Sequence, residues 1–139
     1  MGANELGWVA PKELLEHARR AALTAHAPYS RFRVGAAVVA GGELVLGCNI
    51  ENASYGLCMC AERVAVFKAV SEGKGLLSQI AVSCIDADPK SGPEGRMPCG
   101  ACRQVLSEHA GPDTPVWVDG VGQFKLGELL PSPFRLRRP

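Results

Sequence analysis

The spacing of three cysteines places the strongest constraint on how this chain folds. Cys99 and Cys102 form a C-x-x-C pair at the start of a predicted helix, and Cys60 stands at the start of another. Residues three positions apart lie on one side of a helix, so both sulfurs of the pair can face the same point. If the fold brings the two helix starts together, three thiolates can bind one metal ion. Zinc is the metal expected for such sulfur ligands.

The cysteines alone leave several kinds of site open. Three protein ligands leave one tetrahedral position of a zinc ion for water, which is typical of a catalytic site. Cys58 is a rival for a fourth ligand, which would make a closed structural site, although it lies only two residues from Cys60. The cysteines could also form a thioredoxin-like redox pair or simply be buried in the core.

Glu62 favours the catalytic site. It lies two residues after Cys60, in the first turn of the same predicted helix. A carboxylate beside a zinc-bound water can take a proton from it and deliver that proton elsewhere. A glutamate at a helix start can also serve only to complement the helix dipole. The combination C-A-E with P-C-G-A-C indicates the former.

The charge of such a centre has to be moderated. A zinc ion with three thiolates carries one net negative charge, which makes it a weak acidifier of water. Two helix N-termini supply about half a positive charge each. Arg63 and Arg103 are predicted to donate hydrogen bonds to the thiolates, although both could be ordinary surface residues.

Composition and charge exclude several classes of protein. The 139 residues suit one domain spanning residues 1–139. Apolar residues make up 47% and charged residues 21%, which excludes a disordered or fibrous chain. The net charge of +1 provides no broad basic surface, so no nucleic-acid partner is expected.

The sequence also predicts the compartment. No apolar run approaches the roughly 18 residues of a membrane span, so no membrane association is expected. The charged N-terminal region does not resemble a signal peptide, which indicates a cytoplasmic location. In that reducing compartment, the six cysteines are expected to be metal ligands or catalysts rather than disulfides.

Apolar periodicity predicts an α/β fold. The predicted helices cover residues 11–26, 61–71, 100–109 and a short turn at 126–130. The predicted strands cover residues 33–39, 43–48, 77–85, 116–119 and 123–126. Residues 49–57 and 86–98 are predicted loops. This order indicates a three-layer α/β/α sandwich around one mixed sheet of about five strands.

Several segments together resemble a known family. They are A-P-Y-S-R-F-R-V-G-A-A at 27–37, G-C-N-I-E-N-A-S-Y-G at 47–56, C-A-E-R at 60–63, K-A-V-S-E-G at 68–73, P-C-G-A-C-R-Q at 98–104 and E-L-L-P at 128–131. In this order, over nearly the whole chain, they resemble the cytidine deaminases of the small homotetrameric type, a branch of the zinc deaminases. Cys58 and the long loop at 86–96 depart from the family pattern.

The resemblance implies a cytidine deaminase-like fold and a mechanism. Cys60, Cys99 and Cys102 would hold one zinc ion per subunit, with water as the fourth ligand. The zinc-bound hydroxide would attack C4 of cytidine or deoxycytidine, while Glu62 carries protons to N3 and to the amino group. Ammonia and uridine or deoxyuridine would be released, as in pyrimidine salvage. The protein would be a cytoplasmic homotetramer with shared active sites.

The resemblance also implies substrate contacts. The positions that match the family's substrate-binding residues are Phe32, Asn49, Glu51, Ala53, Tyr55, Ala61 and Phe134. Asn49 and Glu51 would hold the ribose 3′-hydroxyl, since an amide and a carboxylate can donate and accept around one hydroxyl. Phe32 would pack against the pyrimidine and the Ala61 amide would contact it. Neighbouring subunits would contribute the other three residues.

Different functions compete with this one. Asn49 could only cap a turn, and Phe32 could be an ordinary core residue. A deaminase of a cytosine-bearing antibiotic such as blasticidin S would use the same zinc chemistry, but Glu51 argues for a ribose. A nucleic-acid deaminase, to which the basic tail would contribute, and a non-catalytic structural zinc module also remain open.

Overall fold

The structure, a computed structural model, describes residues 7–139. Its helices are α1 (Pro11–Ala22), α2 (Ala61–Ser71), α3 (Gly100–His109) and α4 (Leu126–Leu129). Its strands are β1 (Val34–Ala40), β2 (Glu43–Cys48), β3 (Leu77–Cys84), β4 (Pro115–Val118) and β5 (Gly122–Lys125). Two short 3-10 helices, Tyr55–Leu57 and Pro93–Arg96, lie in the loops before α2 and α3.

The five strands form one mixed sheet in the order β2-β1-β3-β4-β5. β3 and β4 are parallel, with Ile80 opposite Val116, and the other neighbours are antiparallel. Gly41 and Gly42 form the tight turn between β1 and β2, both at positive φ, as a two-residue hairpin turn requires. The mixed sheet predicted from the sequence is confirmed.

Helices cover both faces of the sheet. Leu14 and Ala18 of α1 pack on one face, against a cluster completed by Val9, Ala37, Val39, Ala81 and Trp117. The opposite face carries the larger cluster, to which α2, α3 and α4 contribute. Successive residues of β1 alternate between the two clusters, because side chains of a strand point to opposite faces in turn. The three-layer α/β/α arrangement is therefore confirmed.

Two glycines allow helices to approach the sheet closely. A Cβ atom at Gly35 would lie 1.9 Å from the Ala18 carbonyl oxygen of α1. A Cβ atom at Gly47 would lie 2.5 Å from the Ala65 amide nitrogen and 2.6 Å from the Ala61 carbonyl oxygen of α2. The absence of a side chain at Gly47 thus sets the distance between β2 and the start of α2.

Some element boundaries differ from the predictions. α1 ends at Ala22 and not at residue 26, because the amides of residues 23–25 donate to carbonyls three residues earlier and not four, as an α-helix requires. His26 then bridges to Ile50, its amide donating to the Asn49 carbonyl at 3.0 Å. The first six residues, which the single-domain prediction includes, lie outside the described residues. None of the helices in residues 7–139 combines the length and apolar character that crossing a membrane requires.

Candidate active site

The starts of α2 and α3 meet and bring three sulfurs together. Cys60 is the residue before α2, Cys99 is the residue before α3, and Cys102 lies in the first turn of α3. Their Sγ atoms all lie within 4.8 Å of one another. The Cys60 and Cys99 sulfurs are 4.0 Å apart, and the Cys99 and Cys102 sulfurs 3.6 Å. The convergence expected from the sequence is present.

These distances fit a tetrahedral zinc ion. Zinc–sulfur bonds of about 2.3 Å at tetrahedral angles place neighbouring sulfurs about 3.8 Å apart. Among residues 7–139 the cluster has three members, so the donor set is that of an open site. The Cys58 sulfur is not a member and instead accepts a hydrogen bond from the Asn52 amide at 3.3 Å.

Arg63 lies against the cluster. Its Nη2 donates to the Cys60 sulfur at 3.3 Å. Hydrogen bonds from Cys102 and Arg63 lower the pKa of Cys60 to about 5, against the opposing effect of its burial. The hydrogen bond that Cys102 donates to the Cys60 thiolate in turn raises the pKa of Cys102. Arg63 therefore stabilises the thiolate form that a metal ion requires.

Glu62 is enclosed beside the sulfurs. It lies in the first turn of α2 and is only 5% exposed. Burial raises the pKa of Glu62 to about 7, because the carboxylate loses its hydration, and the charge of Cys60 adds to the effect. A carboxyl group with this pKa can both accept and donate a proton near neutrality.

A cleft of about 690 Å³ opens beside this cluster. That volume suits a small-molecule ligand. The cleft is lined by Phe32, Asn49, Glu51, Ala53, Tyr55, Cys60, Ala61, Glu62, Arg63 and Cys99 among the residues selected from the sequence. Cys102 is fully buried and does not line it.

Comparisons with known proteins show which family this chain is similar to. The model of the "Cytidine and deoxycytidylate deaminase zinc-binding region" matches residues 10–117. The chain is 46% identical over 126 residues to a cytidine deaminase of Halalkalibacterium halodurans, spanning 87% of this chain and 91% of that protein. This chain belongs to the cytidine and deoxycytidylate deaminases. A cytidine deaminase of Mycobacterium tuberculosis is 47% identical over 122 residues, spanning 86% of each chain.

Solved structures of cytidine deaminases share the fold. The crystal structure from Burkholderia pseudomallei superposes with a TM-score of 0.79 at 42% identity, covering 91% of this chain and all of that one. The structure from Mycobacterium tuberculosis gives a TM-score of 0.78 at 42% identity. The family is a zinc-binding one, and the three-cysteine cluster can hold one zinc ion. These relatives favour neither the redox pair nor the antibiotic deaminase.

Asn49 and Glu51 line the cleft of this deaminase but also hold its wall together. The Asn49 Oδ1 accepts from the Val34 amide and its Nδ2 donates to the Phe32 carbonyl, both at 2.8 Å. Each of these atoms keeps one further donor or acceptor position, which a hydroxyl can use. The Glu51 carboxylate accepts from the amides of Tyr29 and Ser30 at 3.0 and 3.1 Å.

The hydroxyl of Ser30 was not singled out in the sequence, yet it bears on the same site. It donates to Glu51 and is the main cause of the lowered pKa of that carboxylate. Glu51 is therefore ionised and oriented before any ligand arrives. The only sequence signal was the position of Ser30 inside the A-P-Y-S-R-F segment.

The other predicted contacts divide into two groups. The Ala61 amide belongs to the first residue of α2 and has no partner within the helix, so it can donate to a ligand. Tyr55 lines the cleft and is 90% exposed. Phe134 is 68% exposed but does not line the cleft of its own chain, and its carbonyl accepts from Gln104 at 3.1 Å.

The structure corrects the prediction for Arg103. Its Nε donates to the Pro98 carbonyl and its Nη1 to the Leu129 carbonyl, both at 2.8 Å. These two carbonyls, and not a cluster sulfur, are the hydrogen-bond partners of its side chain within residues 7–139. The residue directly after Cys102 points in another direction around α3, which carries the guanidinium away from the sulfurs.

Three cleft residues that follow β3 were not singled out in the sequence. Cys84 ends this strand, Gly95 and Arg96 follow in the loop, and all three line the cleft. Their position after the carboxyl end of a buried strand was an available signal, because binding clefts of α/β sheets form at such ends.

Proposed function

We propose that this protein deaminates cytidine and deoxycytidine to uridine and deoxyuridine, with release of ammonia. The observation that carries this proposal is the enclosed Glu62 carboxyl group in one cleft with the three-sulfur cluster. The names of the relatives agree with it, since the proteins of Halalkalibacterium halodurans and Mycobacterium tuberculosis are cytidine deaminases.

In this mechanism Cys60, Cys99 and Cys102 would hold the zinc ion. When bound, zinc supplies a Lewis acid that activates a water molecule for attack. Glu62 would take one proton from the water that adds at C4 and deliver it to N3 of the pyrimidine. Glu62 would then carry the second proton of that water from the new hydroxyl group at C4 to the amino group, so that the C4–N bond breaks, ammonia leaves and a carbonyl group remains at C4. A carboxyl group with a pKa of about 7 suits both directions of transfer.

Arg63 would balance the charge of the centre. Its hydrogen bond draws negative charge from the Cys60 sulfur. The N-termini of α2 and α3 act in the same sense, since each carries about half a positive charge. A less negative sulfur set makes the bound metal a better activator of water.

The substrate would be held by its sugar and its base. Asn49 and Glu51 would bind the ribose 3′-hydroxyl through the hydrogen-bonding positions that remain free. Phe32 would pack against the pyrimidine ring, and the Ala61 amide would donate to it. A bound nucleoside would place its amino group towards the sulfur cluster and Glu62.

The proposal extends to the assembly and its setting. Tyr55 and Phe134 expose most of their aromatic surface, which a neighbouring subunit would cover in a homotetramer that shares its active sites. Ala53 would also contribute across that interface. All six cysteines are free, which suits a reducing cytoplasm, and the activity would serve pyrimidine salvage.

The test is a substrate panel. The purified protein, with its zinc content measured, is incubated with cytidine, deoxycytidine, cytosine, CMP and blasticidin S, and ammonia release is recorded. We expect turnover of the two nucleosides. Turnover of blasticidin S alone would contradict the ribose contacts of Asn49 and Glu51. No turnover with zinc bound would contradict the proposed function and favour a structural zinc module.

A further inference from the structure

The last residues of the loop between β3 and α3 line the cleft. Residues 86–97 leave the sheet after Cys84 and return at Gly95, Arg96 and Met97, which line the cleft. The cluster residue Cys99 follows two positions later. The end of this loop therefore forms cleft wall directly beside the metal cluster.

Arg96 ties that end of the loop to its beginning. Its Nη2 donates to the carbonyl of Asp88 at 2.7 Å. Its own carbonyl receives a long contact of 3.9 Å from the Cys84 thiol. The Nε atom is buried and has no hydrogen-bond partner among residues 7–139. The side chain is therefore half-buried and packs against the loop.

The same side chain packs on the turn between β4 and β5. A Cβ atom at Gly120 would lie 2.6 Å from Nη1 of Arg96, so the guanidinium occupies the space that Gly120 leaves. The neighbouring carboxylate of Asp119 is held by Arg19 and Ser83. Arg19 is the main cause of the lowered pKa of Asp119, and the charge of Arg96 adds to it. Arg96 is thus drawn towards this turn by packing and by charge.

A second arginine holds the other side of Met97. Arg103 donates to the carbonyl of Pro98 at 2.8 Å. Met97 is half-buried, packs on the core and lines the cleft. Met97 therefore lies between two anchored residues. Arg96, before it, is anchored by the contacts of its own side chain, and Pro98, after it, is anchored by its hydrogen bond from Arg103.

From this geometry we propose that Arg96 is a positioning residue for deamination. It fixes the wall segment Gly95–Met97 against the turn at Gly120, and so sets where a bound pyrimidine lies relative to the cluster and Glu62. This inference rests on the proposed function. The ribose contacts at Asn49 and Glu51 belong to other elements and keep their places without Arg96.

A displaced wall should affect catalysis more than binding. A shift of about 1 Å in a reacting geometry can cost about 10²-fold in rate. Loss of the Arg96 contacts leaves the segment held at Pro98, so we expect a smaller effect. Arg96→Ala should lower kcat about tenfold and change KM less than about threefold, with zinc still bound.

A second variant acts on the same contact from its other side. Gly120→Ala places a methyl group where the guanidinium lies, and the flexible end of Arg96 must move away. Gly120 has a φ of +78°, so alanine also strains the backbone there. Gly73→Ala is the matched control, because Gly73 has a φ of +74° and open space around it.

The experiment compares Arg96→Ala, Gly120→Ala, their double variant and Gly73→Ala with the wild type. It measures kcat and KM for cytidine, zinc content and the unfolding temperature. We expect Gly120→Ala to lower kcat several-fold and Gly73→Ala to leave kcat unchanged. The double variant should match Arg96→Ala within about twofold, because both changes remove one shared contact.

Each contrary outcome has a distinct meaning. Any one of three results would overturn the positioning role. The first is an unchanged kcat in Arg96→Ala, and the second is an equal kcat in Gly120→Ala and Gly73→Ala. The third is a double variant in which the two losses of kcat multiply. A loss of kcat that follows the loss of zinc would assign Arg96 to the stability of the cluster and also overturn it. An inactive wild type with zinc bound would instead overturn the proposed function itself.

Discussion

Gly47→Ala tests how closely β2 and α2 are packed. The added Cβ would lie 2.5 Å from the Ala65 amide nitrogen and 2.6 Å from the Ala61 carbonyl oxygen, both in the backbone of α2. Ordinary van der Waals contact begins near 3.4 Å, so the helix must move by about 0.9 Å. Because α2 begins directly after Cys60 and carries Glu62, that movement also displaces the candidate site.

The size of the effect follows from these distances. Overpacking of this kind costs about 1–3 kcal/mol. For a chain of this length that corresponds to a fall of about 3–10 °C in the unfolding temperature. A displacement of almost 1 Å at the site should also lower kcat by up to about 10²-fold.

Thermal unfolding and cytidine turnover measure the two effects. Gly75→Ala is the control, because a Cβ at Gly75 meets nothing within 4 Å. We expect the control to stay within about 0.5 kcal/mol of the wild type. If Gly47→Ala unfolds at the temperature of Gly75→Ala and keeps full activity, the close approach of β2 to α2 does not position the site.

Three further variants probe separate parts of the molecule. Arg63→Ala removes the donor to Cys60 and should weaken zinc affinity about tenfold or more in a competition with a chelator, with Arg63→Lys restoring part of it. Asp119→Asn removes a carboxylate whose pKa is lowered mainly by Arg19, so it should cost about 1 kcal/mol of unfolding free energy at pH 7. That difference should shrink below about pH 4, because the wild-type contribution is lost as pH falls through the lowered pKa; an equal difference at pH 3 and pH 7 would contradict it. Glu51→Gln should raise KM for cytidine about tenfold with a smaller change in kcat, and an unchanged KM would remove Glu51 from the ribose contacts.

Much of the fold was predictable because its signals are local. The valine-rich run of small residues in β1 and the Gly41–Gly42 turn after it indicate a hairpin from the local sequence alone. The end of α1 was not predictable in this way. His26 leaves the helix because its amide donates to Asn49, a partner far along the chain.

The candidate site likewise has residues that local sequence signals indicate and contacts that only the whole fold determines. Cys60, Glu62 and Cys99 could be selected because their spacing from helix starts is visible in the sequence. The partners of the two arginines could not be derived from their positions, since Arg63 reaches a sulfur while Arg103 reaches two carbonyls. Which carbonyl lies within reach depends on how α3 packs, and that is a property of the whole fold.

The role of the loop at 86–97 was also outside the reach of sequence reasoning. Its glycines and prolines predict only that it is irregular. The contact of Arg96 with Gly120 joins two segments that have no shared pattern in the sequence. Such contacts appear only once the turn between β4 and β5 is placed beside the loop.

We propose that Glu62 moves protons in a site built on three cysteine ligands. The most direct measurement is kcat for cytidine together with bound zinc per chain in Glu62→Gln, which keeps the shape of the side chain and removes its ability to take a proton. We predict zinc at the wild-type level and a kcat lower by at least about 10²-fold. A variant that keeps wild-type turnover, or that loses its zinc along with its activity, would contradict that role for Glu62.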